Sequence, residues 1–454
     1  MMTKAIQARE RDAAIQALRA GVVPRLGIRH IQVGRAKEVE ETVRDVARIV
    51  NGGSAVRFII GDYGAGKTFF LNLARAVAAE RKLVVMHADL SPERRIHASG
   101  GQAKSLYGEL VRSMATRTKP DGGALASILE RLIGDVRTAS ATSGRAMDMA
   151  LREKLEPVRD MVSGHDFSDV VVRYGQAVEN GDEEGKTAAL RWLRGEFSLK
   201  TEARLALGVR TIIEDTGMLD HLKALGALVR LAGYEGTFIV MDEMVSLYKM
   251  VNAQARNANY EEVLRIVNDV LQGSASRIGF YFGGTPEFLL NTRRGLYSYE
   301  ALRSRLAENT FARDGLVDLT GPVIRLNSLG PEELFVLLEK LRLLWAGGNP
   351  ARLAVPDEAL HSFLEHCRKQ IGEAYFRTPR TTIKAFLDLL ALLEQNPGTD
   401  WHSLIAKMDI PPDTQPAGES PDALDASLAS VVASGGFSEP GQPAFEADLA
   451  TFKL

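Results

Sequence analysis

The chain has 454 residues, of which 45% are hydrophobic and 25% are charged, and its formal net charge is -2. These values are typical of a soluble globular protein with two or three domains. A single cysteine, Cys367, excludes an internal disulfide framework and a cysteine-based metal site. No apolar run is long enough to cross a bilayer, so we expect a cytoplasmic protein that makes no membrane contact.

The first predicted elements are two helices and a strand. Residues 3–20 place alanine, isoleucine and leucine side chains near one helical face. A second helix is predicted over about 36–50, and Gly34 and Arg35 come directly before it. We expect the backbone of these two residues to contact the adenine edge of a nucleotide. The apolar run 55–60 then predicts a buried strand.

Residues 61–68, Gly-Asp-Tyr-Gly-Ala-Gly-Lys-Thr, match the phosphate-loop pattern G-x-x-x-x-G-K-S/T in full. A strand precedes the loop and a helical run follows it, which is the setting that the pattern requires. Glycines let successive N–H groups point at phosphate oxygens, and the helix start adds its positive dipole end. Lys67 would reach the β- and γ-phosphates, and Thr68 would ligate Mg²⁺. The predicted contacts of ATP and Mg²⁺ are Gly34, Arg35, Gly61, Asp62, Tyr63, Gly64, Ala65, Gly66, Lys67, Thr68 and Phe69.

The next stretch contains one strand, one helix and a long region with few strand signals. The apolar run 83–88 predicts a buried strand that ends at Asp89, and a helix is predicted over 103–117. Residues 118–232 carry several charged amphipathic stretches. We interpret this region as a mostly helical insertion within a nucleotide-binding domain.

The apolar run 237–241 predicts a buried strand that ends in two acidic residues, Asp242 and Glu243. Ligands of open α/β sheets bind at the carboxyl ends of the strands, so both acids are expected at the same edge as the phosphate loop. Asp242 would hold the Mg²⁺ hydration shell, and Glu243 would orient and polarise the attacking water. The alternative is a strand that ends in solvent-facing acids.

Three further polar residues are candidates for contact with the γ-phosphate. Thr285 follows a predicted strand that starts at Arg277, although Gly-Gly-Thr-Pro is also typical of a simple turn. Arg303 and Arg305 lie two apart on a predicted helix, so at most one faces the nucleotide of a neighbouring subunit. We favour Arg305 for stabilising transition-state charge in trans. A solvated helix is the alternative for both arginines.

A short strand over 323–326 and three helices complete the predicted fold. The helices are predicted at 331–345, 356–371 and 379–393, and they suggest a small α-helical lid. Arg380 lies near the start of the third helix, since a proline directly before it suits a first-turn position. We predict that Arg380 senses a nucleotide phosphate when the lid closes.

The last segment differs in composition from the rest of the chain. From Pro411 to Leu454 there are seven acidic residues against one lysine, and we expect little fixed structure there. A final apolar pattern over 445–454 predicts either a short docking helix or a disordered terminus. The predicted domains are an N-terminal helical segment at 1–30, a nucleotide-binding domain at 31–328 with the insertion at 118–232, a lid at 329–395 and an acidic, flexible tail at 396–454.

Six motifs together resemble an AAA+ ATPase of the branch that includes origin-recognition and helicase-loader proteins. They are Val33-Gly34-Arg35, the phosphate loop, Met241-Asp242-Glu243, Gly284-Thr285-Pro286, Ala301-Leu302-Arg303-Ser304-Arg305 and Pro379-Arg380. The resemblance implies an α/β fold with a three-layer, P-loop AAA+ parallel sheet and a small α-helical lid. The insertion at 118–232 departs from this pattern, and no winged-helix DNA-binding domain is identified after the lid.

Three stretches are similar to the ATP-binding proteins of bacterial BREX (bacteriophage exclusion) defence systems, the BrxD-like group. They are the run Ala8-Arg9 to Pro24, the phosphate loop and the run Gly233-Tyr234-Glu235-Gly236 with Asp242-Glu243. The resemblance covers roughly residues 5–395. It implies an ATP-hydrolysing homo-oligomer that assembles on double-stranded DNA in an anti-phage complex, beside a partner such as a helicase.

Direct DNA contact has candidates in a basic cluster after the strand at 83–88. Helicase loaders and initiators often meet DNA near this edge, by analogy of fold, whereas a basic cluster is otherwise a solvated surface. The candidates are Arg94, Arg95, His97 and Lys104. Two other functions stay open: a nucleotide-gated signalling switch with slow turnover, and an assembly adaptor whose ATP site is structural.

Overall fold

Five short apolar runs form one parallel sheet in a computed structural model, which describes residues 6–311, 318–377 and 379–410. The strands are β1 Ser54–Ile60, β2 Leu83–Asp89, β3 Gly236–Asp242, β4 Ile278–Gly284 and β5 Val323–Arg325. Their order across the sheet is β2-β3-β4-β1-β5. Strands β1, β3 and β4 are buried along their whole length, as expected where helices cover both faces. The predicted α/β parallel-sheet fold is confirmed.

Helices make up most of the remaining described chain. They are α1 Ala8–Arg19, α2 Ala36–Val50, α3 Lys67–Glu80, α4 Gln102–Arg112, α5 Leu125–Ser143, α6 Met147–Arg159, α7 Gly164–Asn180, α8 Glu183–Leu193, α9 Lys200–Leu207, α10 Met218–Leu231, α11 Val245–Tyr248, α12 Ala253–Leu271, α13 Pro286–Leu290, α14 Glu300–Arg305, α15 Pro331–Trp345, α16 Asp357–Ile371, α17 Ala374–Arg377, α18 Pro379–Gln395 and α19 Trp401–Lys407. Within the described ranges, no helix combines the length and apolarity that a membrane span needs. The predicted docking helix at 445–454 lies outside the described residues.

The two faces of the sheet carry separate hydrophobic cores, because successive side chains of a strand point to opposite faces. Ile59 of β1 belongs to the core that α2 and α3 cover. Its neighbours Phe58 and Ile60 belong to the other core. That second core continues into the predicted insertion, where Phe167 and Trp192 pack edge to face with ring centroids 6.0 Å apart. Residues 118–232 thus contain helices α5 to α10, and their apolar core is continuous with that of the sheet.

A third core belongs to the C-terminal helices, by which we mean α15, α16, α18 and α19. The N-terminal helix α1 packs into the same core through Ala14, which is fully buried. Arg19 of α1 also pairs with Asp388 of α18 at 3.0 Å. The two ends of the described chain thus meet in one helical cluster beside the sheet.

A buried ion pair connects α2 to the centre of the sheet. Arg57 of β1 donates to the two carboxylate oxygens of Asp45 at 2.6 and 2.9 Å. The Tyr281 hydroxyl of β4 donates to the same carboxylate at 2.9 Å. Arg57 also donates to the carbonyl of Leu319 at 2.7 Å, ahead of β5. Full burial and the charge of Asp45 raise the pKa of Tyr281. The Asp45 carboxylate thus links α2 to both β1 and β4.

We expect Asp45→Asn to lower the free energy of unfolding by about 3 kcal/mol, because the buried Arg57 loses its hydrogen-bonded counterion and keeps only the Glu41 carboxylate, 3.6 Å away. Urea denaturation measures the loss. Glu40→Gln is the matched control, since Glu40 pairs with Arg44 at 2.7 Å on the exposed face of the same helix. That pair is expected to contribute less than about 1 kcal/mol. Equal losses for the two variants would contradict this account of the sheet.

Candidate nucleotide-binding site

The phosphate loop connects the carboxyl end of β1 to the start of α3. Gly64 and Gly66 have left-handed φ angles of 82° and 83°, which favour glycine. Among the described residues, no group accepts a hydrogen bond from the N–H of either glycine. Gly61 is packed closely, since a Cβ there would lie 2.8 Å from the carbonyl oxygen of Leu326. The loop therefore presents free N–H groups beside the positive end of a helix, as phosphate binding requires.

Lys67, the first residue of α3, is held over its own loop. Its Nζ donates to the carbonyl oxygens of Gly61 at 2.8 Å and Asp62 at 2.9 Å. Burial lowers the pKa of Lys67, and the nearby charges of Asp242 and Glu243 oppose that shift. Phosphate oxygens are the stronger acceptors, so a nucleotide would replace these carbonyl bonds.

Asp242 connects β3 to the phosphate loop across the intervening strand. Thr68 donates from its hydroxyl to Asp242 Oδ2 at 2.8 Å, and the N–H of Glu243 donates to Asp242 Oδ1 at 2.8 Å. Strand β4 lies between β1 and β3, and Gly283 of β4 leaves the room that this contact needs. A Cβ at Gly283 would lie 2.1 Å from Asp242 Oδ1. Hydroxyl and carboxylate oxygens are the ligands that Mg²⁺ prefers.

Three carboxylates share this edge of the sheet. Glu243 is exposed and has a left-handed φ of 57°, which is uncommon outside glycine and clusters at functional sites. Partial loss of solvent and the charge of Asp242 raise the pKa of Glu243. Asp89 is the register partner of Asp242 at the end of β2, and the same two causes raise its pKa. Sequence reasoning did not select Asp89, although its place at a strand end was the available signal.

Thr285 lies at the carboxyl end of β4, at the same edge of the sheet. Its hydroxyl oxygen accepts a hydrogen bond from the N–H of Phe288 at 3.4 Å, so it caps the first turn of α13. Gly283 and Gly284 belong to β4 and Pro286 begins α13, so Thr285 is the one residue between the strand and the helix. Contact with the γ-phosphate stays a prediction for this residue.

Gly34, Arg35 and Phe69 lie where the loop meets the C-terminal helices. A Cβ at Gly34 would lie 2.5 Å from Oε1 of Glu333, in the first turn of α15. The Arg35 side chain donates to the carbonyl of Ala65 in the phosphate loop at 3.1 Å. Phe69 is half-buried against the core of the C-terminal helices. Contact of the Gly34 and Arg35 backbone with adenine stays a prediction.

The predicted arginines make contacts on other elements. Arg305 Nε donates to Oδ1 of Asn268 on α12 at 2.6 Å, and Arg303 is exposed on the same helix as Arg305. The Arg380 side chain lies against Gly21, at the end of α1, with Nε 2.5 Å from the position of a Cβ there. The roles of Arg305 in trans and of Arg380 as a phosphate sensor stay predictions.

The four DNA candidates lie in the loop after β2 and at the start of α4: Arg94, Arg95, His97 and Lys104. Lys104 Nζ donates to the carbonyl of Phe197 at 2.5 Å, and Arg94 lies 3.8 Å from the carboxylate of Glu109. Asp215 accepts two backbone N–H groups at the start of α4, at 2.6 and 2.8 Å, where a phosphate would otherwise bind. Among the described residues, no hydrogen bond or ion pair engages the side chains of Arg95 and His97.

A cavity of about 530 Å³ lies beside these residues. Basic and acidic side chains both line it, among them Arg112, Arg194, Glu93 and Glu196. Mixed charge of this kind gives a much weaker field for a phosphate backbone than a uniformly basic groove. Of the four predicted DNA contacts, Arg95 and His97 are the two whose side chains make no hydrogen bond or ion pair with the described residues, and His97 is exposed.

We expect Gly283→Ala to weaken ATP binding in the presence of Mg²⁺ about tenfold and to cost about 1–3 kcal/mol of stability, because the new Cβ displaces Asp242. Fluorescence titration and thermal unfolding measure the two effects. Gly134→Ala is the control, since a Cβ at this helical position meets no atom within 4 Å. It is expected to leave ATP binding unchanged and stability equal or higher. Full ATP affinity in Gly283→Ala would contradict the proposal that Gly283 leaves the room that Asp242 needs beside Thr68.

Comparison with known proteins places this geometry in a family. A search of curated proteins found no match to the chain. A family model described as BREX system ATP-binding protein BrxC/D matches residues 6–409, which include the phosphate loop, the acidic strand and the C-terminal helices. The predicted resemblance to BREX proteins is confirmed, whereas the origin-recognition branch stays a prediction. The chain belongs to the BrxC/BrxD family of ATP-binding proteins of the BREX anti-phage system.

Proposed function

We propose that this BREX protein hydrolyses ATP with Mg²⁺ at the site formed by the phosphate loop, Asp242 and Glu243. The observation that carries the proposal is the 2.8 Å hydrogen bond between the Thr68 hydroxyl and Asp242 Oδ2. It brings together, beside the phosphate loop, two oxygens of the kind that bind Mg²⁺. A magnesium ion held there would neutralise charge that develops on the β- and γ-phosphates.

Each residue has a distinct part in the proposed hydrolysis. The N–H groups of the loop and Lys67 bind and orient the triphosphate. Glu243 orients the attacking water and accepts its proton, which requires the ionised carboxylate. Thr285 contacts the γ-phosphate or the attacking water from the end of β4. Binding ATP would therefore place the bond to be broken within reach of Glu243, an exposed acid beside Asp242.

We also propose that the protein acts as a homo-oligomer on double-stranded DNA. The exposed position of Arg303 and Arg305 supports presentation of an arginine to the site of a neighbouring subunit. Arg380, which lies on α18 of the C-terminal helices, would sense a phosphate of the bound nucleotide. Membership in the BREX system implies defence-system partner proteins, and we propose a helicase among them. Arg95 and His97 are the proposed DNA contacts whose side chains make no hydrogen bond or ion pair within the described chain.

A nucleotide-gated switch is the second candidate function. It is favoured by two contacts near the phosphate loop: Gly34 lies against Glu333 of α15, and Phe69, directly after the loop, packs against the core of the C-terminal helices. ATP binding alone would then move these helices, and turnover would be slow. The two functions differ in the rate of phosphate release and in its response to DNA.

We expect Glu243→Gln to reduce ATP turnover at least about 100-fold while ATP affinity is retained, because an amide accepts no proton from water. Release of inorganic phosphate measures turnover, and titration with a fluorescent ATP analogue measures affinity. Glu287→Gln is the matched control, since Glu287 is an exposed acid of α13 near Lys67. Its turnover is expected to stay within about threefold of the wild type.

Duplex DNA added to the same assay tests the proposed substrate. Turnover of the wild type is expected to rise with DNA, and the effect is expected to weaken steeply as salt increases. A wild-type rate as low as that of Glu243→Gln, with and without DNA, would favour the switch. Normal turnover in Glu243→Gln would contradict the role of this acid.

The pH dependence of turnover tests the cluster of carboxylates. The charge of Asp89 helps to raise the pKa of Glu243, so Asp89→Asn is expected to lower it. Glu243 acts in its ionised form, and the acid limb of kcat/KM therefore moves to lower pH in the variant. Measuring kcat/KM for ATP hydrolysis over the acid and neutral pH range gives the position of this limb. Glu93→Gln, an exposed acid of the loop after β2, is expected to leave it in place. A limb that moves to higher pH in Asp89→Asn would overturn this assignment.

A further inference from the structure

We propose that the side chain of Arg35 is a positioning residue of the phosphate loop and sets the direction of a phosphate-binding N–H group. The inference concerns ATP binding itself and does not depend on hydrolysis. It assigns the guanidinium group a role apart from the adenine contact expected of the backbone at this position.

The Arg35 guanidinium lies between two segments that are distant in sequence. Its Nη2 donates to the carbonyl of Ala65 at 3.1 Å and also donates to the carbonyl of Asn327. The side chain is only 14% exposed, and Glu38 lies 3.6 Å away on the next turn. Arg35 has a left-handed φ of 61°, which is uncommon and strained for a residue other than glycine. The backbone is thus held in a strained conformation while its side chain bridges two carbonyls.

The bond to Ala65 controls a peptide group of the cradle. The carbonyl of Ala65 and the N–H of Gly66 belong to one planar trans peptide, so they point in opposite directions. Holding the Ala65 oxygen against Arg35 turns the Gly66 N–H to the other side of the loop. This peptide is flanked by Ala65 and Gly66, and Gly66 has no side chain that would restrict its rotation. Arg35 therefore supplies an orientation that the glycine-rich loop does not fix by itself.

The bond to Asn327 connects the same peptide group to the C-terminal helices. Asn327 follows β5, and the preceding residue, Leu326, donates its N–H to the carbonyl of Ile60 at 2.7 Å. The chain then leads into α15, whose Glu333 carboxylate lies against Gly34. Movement of α15 would therefore reach the phosphate loop through the carbonyl contacts of Arg35.

Displacement of a fluorescent ATP analogue by ATP, ADP and GTP tests the proposal on the full chain. Arg35→Gln is expected to weaken ATP and ADP binding by the same factor, about tenfold, because both nucleotides use the Gly66 N–H. The preference for ATP over GTP is expected to stay unchanged, since no base contact is altered. Arg35→Lys keeps a cation that can donate to one carbonyl, so its affinity is expected between that of the wild type and Arg35→Gln.

Arg44→Gln is the matched control, because Arg44 lies on the exposed side of the helix that Arg35 precedes. Thermal unfolding of every variant separates a loss of fold from a loss of loop geometry. A changed preference for ATP over GTP in either Arg35 variant would mean that the side chain acts at the base, and would overturn the proposal. Unchanged ATP affinity in a folded Arg35→Gln, or equal affinity of Arg35→Lys and Arg35→Gln, would also overturn it.

Discussion

The contact between Thr68 and Asp242 is the constraint around which the site is arranged. Asp242 is the last residue of β3, whereas Thr68 is the second residue of α3, which follows β1 after the phosphate loop. Strand β4 lies between β1 and β3 in the sheet. A hydrogen bond of 2.8 Å across that gap is possible only because Gly283 carries no side chain. The same glycine supplies a backbone carbonyl that accepts from the N–H of Met244 at 2.9 Å. The contact between the Asp242 carboxylate and the Thr68 hydroxyl therefore depends on the missing side chain at Gly283. A methyl group there would push the carboxylate away from the hydroxyl.

The phosphate loop also depends on a second set of contacts, outside the sheet. Gly34, Arg35 and Phe69 connect it to the cluster of α1 with the C-terminal helices. Carbonyl contacts of Arg35 fix one peptide of the loop, while close packing holds Gly34 against α15. A nucleotide that reorders the loop would thus act on the helical cluster, and the cluster would act on nucleotide affinity. Such reciprocity is a thermodynamic requirement whenever two sites are coupled.

Much of the fold could be predicted from the sequence, because its signals are local. The apolar runs that became β1 and β3 are buried on both faces, and the phosphate-loop pattern fixes a strand, a turn and a helix within a short span. Helices α2 and α15 begin and end at the predicted residues for the same reason. Apolar periodicity also anticipated the helical nature of the long insertion.

The parts that escaped prediction depend on contacts between residues far apart in sequence. The bridging role of Arg35 requires the carbonyl of Asn327. Asp215, far along the chain, accepts backbone N–H groups at the start of α4, beside the predicted DNA contact Lys104. Gly283 could not be singled out before the strand order was known. Asp89 was visible as a strand end, yet its neighbour Asp242 lies on a strand that is distant in the chain. Strand order and side-chain contacts, rather than local pattern, decide these features.

The most direct measurement is phosphate release from ATP by the purified full chain, with Mg²⁺ and with a chelator in place of Mg²⁺. The account predicts steady release that requires the metal, because the oxygens of Thr68 and Asp242 lie together at the phosphate loop. Binding of ATP without any metal-dependent release of phosphate would contradict it, and would leave the protein a nucleotide-binding component whose site does not carry out hydrolysis.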